Sequence, residues 1–412
     1  MTRQKLLLAL SLLARIATGL VSLLVLARGL GPADYGFIAT VLAYSSIAAL
    51  LTDFGFSVQA LRDIGAEPQR AGAIIAACLR VKTILVFGTT LLATAALFLI
   101  EIDMPLRLAG LLLYGAMMIM SYGDLTMIAL RGVGRYEAEA RVTLAGAVLY
   151  VAIVAGAALA MPAILPVAVA IAVARLLQTI LCFVVLRRHV VLENCFYRPL
   201  FDTARFLRGS SALALDSILT TAAAQIDTIL VSAVLGLEAA GIYQVAARIA
   251  GYVVLPIQVL AGVYMPALSH QHHRGINDGL EPRMHGEFIA IGVVAAAFTA
   301  LAMPILGPWL FGAEFVVPNA IWLVFGLLVL ARFIVAASGI VLTARHAVWY
   351  RLAGQGAGMA GMVLVMPIAL MTLGMVGAPL VSLAATLVTL TVYWWALRRL
   401  DRRGPLIEAA GP

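Results

Sequence analysis

Charged and polar side chains set inside long apolar stretches are the residues of this chain that could do chemistry. In the first stretch Ser11, Arg15, Thr18 and Ser22 share one helical face at three- and four-residue spacing. A second group is Asp216, Thr220 and Asp227, again on roughly one face, with Gln225 beside it. Gln244, Arg248 and Tyr252 form a third, one turn apart. Arg175 and Arg332 each stand alone in mid-stretch. An ionised group in lipid is expensive, so each should face a water-filled cavity or a partner. The mid-stretch arginines Arg15, Arg175, Arg248 and Arg332 face Asp216 and Asp227, and that balance favours an anionic cargo.

Depth narrows the pairings. Asp227 and Arg248 lie about eight and about nine residues from the outer ends of their helices, so they reach a similar level and could pair. Such a pair reads either as structural or as part of a transport cycle. Asp53 and Asp216 both lie about six residues from inner ends. Arg15 has no acidic partner at its depth in its own hairpin, which points to substrate contact. Arg80, Lys82 and Asp124 sit near inner ends, where snorkelling or mutual pairing accounts for them. Asp53 is expected to pair with Arg62 or Arg80, with Gly55 as a close-packing point.

The elements that position these groups follow from composition. Hydrophobic residues make up 63% and charged residues 12%, against roughly 25% charged in a soluble domain. Twelve stretches of about 20 apolar residues are each long enough to cross a bilayer. They lie near 6–27, 36–60, 73–100, 105–130, 142–161, 164–186, 210–235, 239–268, 287–311, 318–343, 347–372 and 374–397. The expected fold is therefore an all-α polytopic membrane protein. The first stretch is too long for the apolar core of a cleaved signal peptide.

A turn recurs at mid-chain. Leu20–Phe37 reads LVSLLVLARGLGPADYGF and Leu230–Tyr243 reads LVSAVLGLEAAGIY. Aligning Gly31 with Gly236 also aligns Leu30 with Leu235 and Gly36 with Gly241. A repeated helix–turn–helix implies two pseudo-symmetric six-helix bundles around a central cavity. The expected division is 1–186, a connector at 187–209, 210–397, and a basic tail at 398–412. Lys and Arg favour one set of helix ends over the other about tenfold, which places both termini in the cytoplasm. The net charge of +8 is then a matter of topology and does not call for nucleic acid. The sizeable loops, Arg187–Gly209 and Ser269–Gly286, are both internal, and Phe201–Arg208 suits an amphipathic surface helix.

Several function classes drop out. Cys78, Cys182 and Cys195 have neither metal nor redox spacing. Ser269–Arg274, SHQHHR, has three histidines, a pattern more often solvated than metal-binding. Walker, HExxH and Gly-rich phosphate motifs are missing from the sequence, so neither a cofactor nor an ATP site of its own is expected. The short outer turns argue against an outer-face polymerase or ligase.

The early Arg15, then LGPADYG (Leu30–Gly36), then DFGF (Asp53–Phe56) followed by Arg62, resemble the lipid-linked oligosaccharide flippases. These are the O-antigen and exopolysaccharide exporters of the superfamily that also holds the MATE drug exporters and the lipid II flippases. QIDTILVSAVLGLEAAGIY (Gln225–Tyr243) is similar to the corresponding second-half element. The resemblance implies a V-shaped bundle that alternates between inward- and outward-open states, in a bacterial inner membrane. Its first, second, seventh and eighth helices would line the cavity. The cargo would be an oligosaccharide on undecaprenyl diphosphate, with a polysaccharide polymerase or ligase as a further partner. Arg15, Thr18, Gln244, Arg248 and Tyr252 would contact it, a diphosphate being well matched to bidentate guanidinium. Asp227, Asp216 and Asp53 would bind a coupling proton or Na⁺, or form ion pairs. The alternative is a MATE-like ion-coupled exporter of small molecules.

Overall fold

The computed structural model describes residues 2–53, 55–99, 101–191, 219, 221–274, 279–312, 314–345 and 347–403. Their regular elements are all helical. In chain order these are α1 (Thr2–Asp53), α2 (Phe56–Ala66), α3 (Ala71–Leu99), α4 (Met104–Gly132), α5 (Tyr136–Ala160) and α6 (Ile164–Arg187). Then come α7 (Thr221–Leu235), α8 (Leu237–Val253), α9 (Pro256–Arg274), α10 (Leu280–Ala297) and α11 (Met303–Phe311). The last are α12 (Asn319–Ala344), α13 (Val348–Leu373) and α14 (Gly377–Arg403).

Nine stretches among the described residues are long and apolar enough to cross a bilayer. Two of them, Leu13–Asp53 and Val348–Arg402, span 41 and 55 residues. At 1.5 Å per residue each exceeds the roughly 30 Å of hydrocarbon about twofold or more. Each is interrupted by a left-handed glycine, Gly31 and Gly374. With the shorter apolar α7 the pattern is consistent with the twelve crossings expected.

The repeated turn recurs in the backbone. Gly31 has φ 76° and ψ 174°, and Gly236 has φ 91° and ψ 175°. This conformation is essentially closed to any residue with a Cβ. Pro32 follows the first of these, where its missing N–H is harmless.

Two expectations need correction, the partner of Asp53 and the loop at Ser269–Gly286, and two gain detail. Gly55, at φ 74° and ψ 4°, is the left-handed turn that ends α1 and starts α2. Asp53 pairs with Lys82, and neither Arg62 nor Arg80 is its ion-pair partner. The stretch at 239–268 falls within one candidate span, Leu237–Gln271, with a turn ahead of Pro256 between α8 and α9, where proline disfavours the α conformation of the residue before it. The loop expected at Ser269–Gly286 is largely helix, since α9 runs to Arg274 and α10 starts at Leu280. Within the span at 287–311, a π-helical turn at Phe298–Ala302 precedes Pro304, whose absent N–H frees a carbonyl one turn back. The proposed surface helix 201–208, Asp216 and Cys195 lie outside the described residues. Cys78 and Cys182 are buried free thiols.

The chain forms two compact units, Met1–Ile229 and Leu230–Pro412. In the first, α4 packs along α6 and α1 along α5. Its core at one end gathers Phe56, Ile64, Ile75, Leu125, Leu130 and Cys182. In the second, α12 is the central helix, with Trp322, Phe325, Leu328, Phe333 and Val341 buried along it. Phe325 meets Tyr243 of α8 at 5.7 Å between ring centroids, and Phe333 meets Phe288 of α10 at 6.4 Å.

Helices α13 and α14 approach closely through Gly354 and Gly358. A Cβ on Gly358 would stand 2.7 Å from both the Ala385 carbonyl oxygen and Thr389 Oγ1. On Gly354 it would stand 2.7 Å from the Tyr393 ring. Small residues four apart are the usual route to backbone contact in lipid, where apolar burial drives nothing. Thr389 Oγ1 uses the proximity to donate to the Gly354 carbonyl at 3.1 Å. Gly358→Leu is expected to lower stability by about 1–3 kcal/mol through overpacking, read as an earlier thermal transition in detergent. An unchanged transition would mean that α13 and α14 part more easily than this packing implies.

Ion pairs cluster at one set of helix ends. Glu67–Arg70, Asp53–Lys82, Glu139–Arg131 and Glu137–Arg141 serve the first unit. Arg283–Glu287 and Arg345 with Glu281 and Asp401 serve the second. Those of the first unit lie at, or within about three turns of, the ends where α4 and α6 finish, and those of the second unit lie near the ends where α12 and α14 finish.

Candidate functional site

The first unit places four charged groups from three helices around one carboxylate. Asp124 on α4 feels the charges of Arg15 on α1, Arg175 on α6 and Lys82 on α3, and the opposing charge of Asp53. Helix α4 is pinned to α6 at this level. Gly123 faces Thr179 and Cys182 closely, and Thr179 Oγ1 donates to the Ile119 carbonyl at 3.0 Å. Asp124 and Arg15 are exposed, and Arg175 is half-buried. Exposure combined with charges on three neighbouring helices describes a wetted wall, because a lipid-facing carboxylate has no such company.

Each group is held differently. Arg175 lies over the Tyr150 ring of α5 at 3.9 Å and donates to Gln178 Oε1 at 2.9 Å. That cation–π seat fixes the guanidinium without neutralising it. Lys82, 1% exposed, sits 3.2 Å from Asp53 Oδ1. Asp53 also accepts from Ser57 Oγ at 2.7 Å, so it clips together the end of α1, the start of α2, and α3. With Asp53 and Lys82 mutually neutralised, two guanidiniums face one carboxylate. The balance is positive, as an anion site requires.

The other expected residues are distributed as follows. Thr18 is half-buried and its hydroxyl donates to its own helix at Ala14, 2.7 Å away. Asp227, 5% exposed on α7, accepts from the Thr228 N–H at 2.7 Å. On α8, Gln244 is buried, and Arg248 and Tyr252 are half-buried one and two turns on. Arg332 on α12 is half-buried in the same unit. Asp124 is the functional candidate that spacing missed, and Arg175, expected at a cavity or a partner, is one of the charges it feels. The hairpin of Arg15 offers no acid at its depth; the acid lies on α4. Comparing depth across all helices of one bundle brings them together. No group of three or more metal-ligating side chains occurs among the described residues.

The sequence matches the family model described as "polysaccharide biosynthesis protein" over residues 3–272. No curated protein sequence matches it. Among solved structures, an inward-facing multidrug resistance MATE family transporter of the MOP superfamily superposes with a TM-score of 0.76 at 15% identity, covering 94% of this chain and 95% of its own. The lipid II flippase MurJ, in an inward closed conformation, gives 0.72 at 12%, covering 95% and 87%. A MOP superfamily transporter from Pyrococcus furiosus, described by a binding pocket of reverse polarity, gives 0.66 at 12%, covering 97% and 95%. The chain therefore has the all-α fold of the MOP transporters.

Proposed function

The chain belongs to the polysaccharide biosynthesis protein family, and on that premise we propose that it is a flippase for lipid-linked glycan. Its cargo would be an oligosaccharide on undecaprenyl diphosphate. It would turn this lipid from the cytoplasmic to the outer leaflet of a bacterial inner membrane by alternating access. The product would feed a polymerase or ligase of cell-surface polysaccharide.

One observation carries the choice of cargo: the excess of guanidinium over carboxylate around Asp124. A diphosphate is a dianion or more, and planar guanidinium binds it through two N–H groups at once. Arg15 and Arg175 are the residues of the first unit suited to this, and Arg248 is their counterpart on α8. Gln244 and Tyr252 would add neutral donors. An organic cation would meet repulsion from the same groups. Asp227 and Asp216 are the acids assigned to a coupling proton or Na⁺. Asp53 is better suited to its structural pair with Lys82.

The test is reconstitution in vesicles with fluorescent undecaprenyl-diphosphate oligosaccharide, scoring movement between leaflets. Wild-type protein is expected to move it, and Arg248→Ala to slow it. Failure to move any such lipid, together with efflux of an organic cation, would assign the chain to the small-molecule exporters instead.

A further inference from the structure

We propose that the C-terminal end of α14, with the start of α13, is a binding surface for the phosphate headgroup of anionic phospholipid. Trp395, Arg398, Arg399 and Arg402 fall three, four and seven residues apart on α14, which puts them on one helical face. Arg399 lies over the Trp395 ring at 5.2 Å. Tyr350 of α13 meets the same ring edge-on at 5.9 Å. Trp349, Trp394 and Trp395 are 72%, 47% and 54% exposed. Three of the chain's five tryptophans therefore stand exposed at one end of one helix pair.

Depth fits a bilayer interface. Trp395 is about 27 Å along α14 from Gly377, close to the thickness of the hydrocarbon core. The three arginines follow over the next two turns, at headgroup level. Indole rings favour that boundary. Charge fits as well. Among the described residues of α14's last turns the carboxylate is Asp401, and it is taken by Arg345 at 2.5 Å, which also holds Glu281 of α10 at 3.1 Å. Burial alone would lower the pKa of Arg345, but hydrogen bonds and charge from Asp401 and Glu281 raise it overall, so the clip stays charged. Among the described residues Arg398, Arg399 and Arg402 join no ion pair. The stripe is thus cationic, flanked by aromatic rings, and complementary to a phosphodiester.

The full chain is mixed in micelles with phosphatidylglycerol and phosphatidylcholine of matched tails, and retained lipid is counted by native mass spectrometry. Wild type is expected to prefer phosphatidylglycerol, with the preference falling about tenfold in R398Q/R399Q/R402Q. The corresponding triple lysine variant should keep most of it, which separates charge from misfolding. A preference that survives the glutamine variant, or none in wild type, overturns the proposal. So does displacement of the lipid by excess inorganic phosphate, which would make this a site for the free anion.

Discussion

Arg15→Ala is expected to slow glycolipid translocation between about ten- and a hundredfold while leaving the thermal transition where it was. The two halves of that result have separate causes. A charge-assisted hydrogen bond contributes about 1.5–3 kcal/mol, and each 1.4 kcal/mol is a factor of about ten. Stability should hold because Arg15 is exposed and makes no hydrogen bond to the protein among the described residues. Arg15→Lys should fall between wild type and alanine, since an ammonium keeps the charge and loses the fork. Asp124→Asn should move binding the other way, because it removes the carboxylate that competes for Arg15 and Arg175. The measurement is leaflet exchange beside melting of the same preparations. Undiminished exchange in Arg15→Ala would leave the flippase reading standing and remove Arg15 from its site.

The second large effect is on folding. Lys82 is sealed from solvent, whereas the Asp53 side chain keeps 18% of its surface exposed. Asp53→Asn therefore strands a buried ammonium, and breaking such a pair from one side costs about 3–5 kcal/mol. Lys82→Met strands only a part-exposed carboxylate that still holds Ser57, and should cost less. The double variant should recover most of the loss, as apolar replacements of buried pairs commonly do. Thermal unfolding of the three variants in one detergent tests the asymmetry. Equal transitions for Asp53→Asn and wild type would show that the pair contributes little to stability.

Much of this architecture was legible in the residues. Apolar runs announce crossings because lipid admits no unpaired backbone outside a helix or barrel. The Gly31 and Gly236 turns were legible for a similar reason: a glycine at a fixed offset marks a backbone state that other residues refuse. The break at Gly55 was harder to read. A glycine inside an apolar run signals close packing as readily as a turn, and only its φ separates the two. Helix ends at the Ser269–Gly286 segment were hidden because polar helix and polar loop share a composition. The site divided along the same line. Residue types and depth picked out Arg15 and Arg248. The partnership of Asp124 with Arg15 and Arg175 depends on which helices of a bundle adjoin, and spacing within one helix holds no information on that.

The placement of the ion pairs has a mechanical consequence. At one set of ends each unit is fastened by charges; at the other it turns on backbone such as Gly31 and Gly236. Dissolved ions weaken attraction between exposed charges within a Debye length of about 8 Å at physiological strength, and they do nothing to a glycine hinge. Raising salt on the side of a sealed vesicle that bathes a unit's ion pairs should therefore loosen the helix ends of that unit there. Asp53–Lys82, whose ammonium is sealed from solvent, would be the last fastening to respond.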